Sequence, residues 1–118
     1  MTETKNSKPY DLGERTLLFA KKVMQYVRKL PKDIPHIEIG KQLIRAAGSV
    51  GANYIEAEES LSRKDFLMRI KISRKEAKEA KYWLLLSEPV LEKNEKQILI
   101  QEALELTKIF GSIVEKSK

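Results

Sequence analysis

Residues 37–60 read IEIGKQLIRAAGSVGANYIEAEES, and their apolar members recur at the spacing of one helical face. Ile39, Leu43, Ala46, Ala47, Val50, Tyr54 and Ala57 follow one another mainly at three- and four-residue steps, which stacks them along one side of an α-helix. A strand would need alternation with a period of two, and the segment shows none. Behind this stripe, Ile44, Gly48, Gly51, Ala52 and Ile55 make a second apolar face of mostly small side chains. Glycine inside a helix costs about 1 kcal/mol relative to alanine, so close contact with another helix must offset it. That helix belongs either to the same chain or to another copy. Leu17, Leu18 and Met24, off the main stripe of the preceding helix, favour another copy, so these five residues are the expected oligomer interface.

Prolines mark the joints on either side of this segment. Pro31 and Pro35 precede this helix and Pro89 follows the next, because proline interrupts a helix interior. The first helix is expected to begin at Asp11, where D-L-G-E has capping-box spacing, and to end before Pro31. Leu12, Phe19, Val23, Tyr26, Val27 and Leu30 form its stripe. The third begins with S-R-K-D, in which Ser62 caps and Asp65 sits in the first turn; Phe66, Ile70, Ser73, Ala77, Ala80 and Leu84 line one side. The fourth, residues 91–115, carries Leu99, Ala103, Leu106, Phe110 and Ile113. Four amphipathic helices joined by short connections predict an all-α, up-and-down antiparallel four-helix bundle. Residues 1–10 are polar, contain Pro9 and lack periodicity, so they read as a flexible tail ahead of one bundle domain at residues 11–118.

The 118 residues are 42% hydrophobic, enough for one core without covalent staples. The absence of cysteine excludes disulfides and thiolate metal sites and suits a reducing cytoplasm. No apolar run is long enough to span a membrane, and the first residues lack the apolar core of a signal peptide; a cytoplasmic location is expected. No nucleophile with a base nearby and no glycine-rich phosphate loop is present, so an enzyme is not expected, nor a small-molecule substrate or cofactor. His36, the only histidine, falls in the joint before the second helix and lacks the Glu-x-x-His pairing of a di-metal bundle. It is expected to be an ordinary loop or cap residue, with no metal bound.

The net charge of +6 is concentrated in the third helix, where residues 63–81 hold eight basic and three acidic side chains. On a helical projection Lys64, Lys71, Lys75 and Lys78 fall opposite the apolar stripe, with Arg74 and Lys81 on one flank and Tyr82 in line. Such a row suits RNA or DNA: lysines neutralise phosphates and an aromatic stacks on an unpaired base. The competing reading is a solvated outer face. A third feature is polar: Asn53 and Glu56, one turn apart, with Arg45 upstream and Glu76 and Glu79 on the third helix, are expected to form a buried network, since buried carboxylates need partners.

The middle of the chain resembles a known family. Q-L-I-R-A-A-G-S-V-G-A-N-Y-I-E-A from Gln42, K-D-F at Lys64 and K-E-A-K-E-A-K-Y-W-L from Lys75 are similar to the bacterial four-helix-bundle proteins called the 23S rRNA-intervening-sequence protein family. The family takes its name from members encoded in insertions within large-subunit ribosomal RNA genes. The resemblance covers residues 10–86. It implies an up-and-down bundle, no enzyme activity and a ring of five subunits. It also implies kinship with the accessory variability proteins of diversity-generating retroelements, basic pentameric barrels that bind nucleic acid. Arg74 departs from the apolar residue usual at its position and Ala80 from a common threonine, and Arg74 bears on how subunits would pack. The expected function is therefore a non-catalytic homo-oligomer that binds RNA or another nucleic acid through the third helix. The alternative is an oligomeric protein-interaction scaffold with no nucleic-acid role.

Overall fold

The computed structural model describes residues 11–118, so the expected tail at residues 1–10 lies outside the described residues. Four helices follow in order: α1 (Leu12–Arg28), α2 (Ile34–Glu58), α3 (Arg63–Leu86) and α4 (Lys93–Lys116), with no strand among the described residues. The fold is an all-α four-helix bundle. No helix among the described residues is long and apolar enough to cross a membrane.

Side-chain oxygens open three of the helices by satisfying an N–H that has no partner within its own helix. The Asp11 carboxylate accepts the Glu14 N–H at 3.1 Å, Asp33 accepts the His36 N–H at 2.9 Å and Ser62 Oγ accepts the Asp65 N–H at 3.1 Å. The second of these corrects the expected start of α2, which lies three residues earlier than residue 37, at Ile34. Pro35 belongs to the first turn, where its missing N–H has no helical partner to lose. His36 is accordingly neither a loop nor a cap residue: it is buried in that first turn. Its Nδ1 lies 2.8 Å from Asp33 Oδ1, and its Nε2 accepts the Glu88 N–H at 3.0 Å, tying the start of α2 to the joint after α3. α4 starts two residues later than expected and has no side-chain cap.

Pairwise contacts fix the topology. Val27 and Thr16 of α1 meet Gly40 and Gly51 of α2, so residue numbers fall on one helix as they rise on the other. The same opposition holds between α2 and α3, where Ser73 Oγ donates to the Val50 carbonyl at 2.9 Å, and between α3 and α4, where Arg63 Nε donates to the Ser117 carbonyl at 2.8 Å. α1 and α4 close the bundle through ion pairs: Arg15 reaches Glu102 at 2.7 Å and Glu105 at 2.8 Å, and Lys29 reaches Glu95 at 3.1 Å. This is the loosest of the four contacts, and a groove of about 540 Å³ lined by Leu18, Phe19, Ile98 and Leu99 runs along it.

The core is the set of stripes read from the sequence. Phe19, Val23, Tyr26, Leu43, Val50, Ile70, Leu84, Leu99, Leu106 and Phe110 are fully buried, together with Ala46, Ala47, Ala77 and Ala80. Val27, Tyr54, Phe66 and Ile113 pack at its edge, and Val114 takes the interior place expected of Ile113. The Tyr26 hydroxyl inside the core is satisfied: it lies 2.7 Å from Ser87 Oγ, which itself donates to the Leu84 carbonyl at 2.7 Å.

The glycines of α2 separate by environment. A Cβ on Gly51 would stand 2.9 Å from Thr16 Oγ1, whereas one on Gly48 would meet nothing within 4 Å. Gly51→Ala is expected to lower the unfolding free energy by about 1–2 kcal/mol, overcrowding outweighing the gain in helix propensity. Gly48→Ala is expected to raise it by about 0.5–1 kcal/mol. Urea unfolding of both variants checks the pair, and equal effects would contradict it.

Candidate nucleic-acid surface on the third helix

α3 is pinned between α2 and α4 by its inner side, which dictates what its outer side presents. Ser73, Ala77, Ala80 and Leu84 have no exposed surface, so the opposite face must point to solvent. There Lys64, Lys71, Lys75 and Lys78 are exposed in one row, and Tyr82 at its end is 57% exposed. The flanking Arg74 and Lys81 are half-buried on the side towards α4. Arg74 packs beside Gly111 of α4, where a Cβ would lie in ordinary contact at 3.7 Å from Arg74 Cδ. Arg74 thus lies across its own bundle.

Among the described residues, none of the four row lysines is in an ion pair. Two of the three carboxylates in this stretch are occupied elsewhere. Glu76 and Glu79 point along the α2 side of α3, where Arg45 Nη1 donates to Glu76 at 3.2 Å and Arg45 Nη2 donates to Glu79. The Trp83 indole N–H also donates to Glu79, at 2.9 Å. Those donors, the indole first and Arg45 second, hold the Glu79 carboxyl below its ordinary range. The Arg45 guanidinium is in turn held in its charged form, mainly by Glu79.

The expected buried network is therefore only partly assembled. Arg45, Glu76 and Glu79 come together, but only Glu76 is buried; Arg45 and Glu79 sit at the rim of the α2–α3 seam. Asn53 is separate: its amide donates to the Ser49 carbonyl at 2.9 Å and accepts from Arg69 at 3.0 Å. Glu56 is exposed and makes no side-chain hydrogen bond among the described residues. Trp83 and Arg69 were missed as partners. The signal for Trp83 was its place one turn beyond Glu79, on the same side of the helix.

The small-residue face of α2 also divides. Gly51 is committed to α1, whereas Ile44, Gly48, Ala52 and Ile55 are exposed. Helical phase places Ile37, Ile44, Gly48 and Ile55 just outside the line of Gly40 and Gly51, and Leu17 and Met24 just outside the facing line of Thr16 and Val27. The two sets form one apolar strip over the α1–α2 seam, with Leu17 at 55%, Met24 at 42%, Ile44 at 42% and Ile55 at 58% exposure. Leu18 turns instead towards α4, where it lines the groove.

A family model described as 23S rRNA-intervening sequence protein matches residues 10–112. A solved structure from Bacteroides thetaiotaomicron VPI-5482, described as a protein with unknown function from the S23 ribosomal protein family, is 29% identical to this chain with a TM-score of 0.76. The match covers 87% of this chain and 97% of that one. The comparison with curated proteins yields no match.

The Glu79 arrangement makes stability depend on acid. A carboxyl titrating lower in the folded than in the unfolded chain, where glutamate titrates near 4.3, contributes its full stabilisation above the unfolded value and loses it as pH falls through the folded one. Unfolding free energy measured between about pH 6 and pH 3 is expected to fall on acidification, with a shallower decline in Glu79→Gln. An identical slope in the variant would contradict the pairing.

Proposed function

Since the chain belongs to the 23S rRNA-intervening sequence protein family, we propose that it is a non-catalytic, homo-oligomeric bundle that binds RNA or another nucleic acid through the outer face of α3. The carrying observation is the row of Lys64, Lys71, Lys75 and Lys78, exposed and without ion-pair partners among the described residues. Unpaired lysines on one face bind phosphates by displacing condensed counterions, a mode that holds a nucleic acid with little sequence preference. Arg74 and Lys81 widen the positive face towards α4. The kinship with retroelement accessory proteins implied by the sequence motifs supports the same reading, with the protein acting in the cytoplasm as an accessory factor.

The apolar strip over the α1–α2 seam is the proposed contact between copies. A ring of five, the assembly implied by resemblance, needs two different complementary patches on each subunit, and this strip supplies one of them. It lies around the bundle from the lysine row, so assembly and nucleic-acid binding use separate surfaces.

Two experiments test these statements. Replacing Lys71, Lys75 and Lys78 together by glutamate is expected to weaken RNA binding by at least about 100-fold while circular dichroism stays helical. Undiminished affinity would leave the bundle as a protein scaffold with a solvated lysine face. Ile44→Glu, on an exposed position, is expected to reduce the mass measured by light scattering to that of the monomer without unfolding it. An unchanged mass would move the subunit contact away from this strip.

A further inference from the structure

The lysine row is straight, lies along a convex helix and ends in an aromatic side chain whose orientation the bundle fixes. From Lys64 to Tyr82 it runs for about 27 Å at 1.5 Å per residue. Tyr82 stands edge-on to Trp83, with ring centroids 5.1 Å apart and planes at 77°. Trp83 is itself held by its indole bond to Glu79, which Arg45 grips from α2. Arg45, Glu79 and Trp83 therefore form a chain of contacts that ends on the Tyr82 ring. One turn further on, Leu85 and Leu86 are 54% and 47% exposed, so the basic row opens onto an apolar platform.

We infer that this surface takes a single strand, its phosphates along Lys64, Lys71, Lys75 and Lys78 and an unpaired base stacked on Tyr82. The inference rests on the nucleic-acid reading above and narrows it to one substrate class. An RNA duplex suits the surface poorly. The A-form major groove is too deep and narrow for this convex face, its backbones curve away from a straight row of charges, and its bases are stacked out of reach of a tyrosine. A flexible strand follows the row, and any base presents a face to an aromatic ring. Tyr82 is a specificity-determining residue in this arrangement, and Trp83 a positioning one.

Trp83 is the only tryptophan in the chain, so its emission reports on what happens at Tyr82. The full-length protein is titrated with labelled twelve-nucleotide oligo(U), with oligo(dT) of the same length and with a blunt RNA duplex of the same length. Anisotropy and Trp83 emission are recorded together. The single strands are expected to bind at least about tenfold more tightly than the duplex and to quench Trp83. Tyr82→Leu should weaken single-strand binding by about 5- to 100-fold and leave duplex binding unchanged, whereas Tyr82→Phe, which keeps the ring, retains it. Equal binding of strand and duplex, with Tyr82→Leu harmless, would overturn the single-strand assignment and leave the nucleic-acid reading standing. Binding of neither overturns both. A Tyr82→Leu variant that loses oligomer mass instead of strand affinity would place the tyrosine in a protein contact and overturn the inference.

Discussion

The close packing of small side chains between α2 and α3 is the constraint on which the rest of the molecule depends. Ser73, Ala77 and Ala80 on one helix and Ala46, Ala47 and Val50 on the other are wholly buried, and the Ser73 hydroxyl bonds directly to the Val50 carbonyl. Side chains this short bring the helices near enough for a side chain to reach the neighbouring backbone, and that fixes both spacing and rotation. α3 is rich in lysine and has a mean hydropathy below that of the other helices, so tertiary contact holds its orientation. Once its inner face is set, the lysines have one direction left.

The same seam decides which charges are paired. Arg45 projects from α2 across the rim and collects both Glu76 and Glu79, two of the three acidic residues in the basic stretch of α3. An ion pair at the rim adds little to stability by itself. Its larger consequence is electrostatic: carboxylates drawn towards Arg45 form no ion pair with the lysines that face outward. The Glu79 oxygen that meets Arg45 also receives the Trp83 indole, linking charge separation to the placement of Tyr82. In the proposed function, one cluster would thus keep the phosphate-binding row unpaired and the stacking residue in position.

Much of this was legible in the chain because a helix writes its buried face into sequence as a regular period. The four stripes, the caps at Asp11 and Ser62 and the outward phase of Lys64, Lys71, Lys75, Lys78 and Tyr82 all depend on residues of a single helix. What was not legible depends on two. Gly48 and Gly51 carry the same signal along the sequence, and only the position of Thr16 on α1 separates a close contact from an open one. Asn53 and Glu56 are one turn apart, yet Arg69 lies beside the first while the second turns to solvent. Pro35 and His36 read as a joint because proline usually ends a helix, whereas the Asp33 cap lets one begin there.

If the outer face of α3 is a row of unpaired cations for a nucleic acid strand, as proposed, binding must weaken as salt rises. Each phosphate neutralised on a single strand releases condensed counterions, so four contacts give a slope of about −3 for the logarithm of the association constant against that of salt concentration. Oligo(U) binding measured across a range of potassium chloride concentrations is expected to show such a slope, shallower by about 0.7 for each row lysine replaced by alanine. A slope near zero, or one that ignores the loss of these lysines, would contradict that proposal.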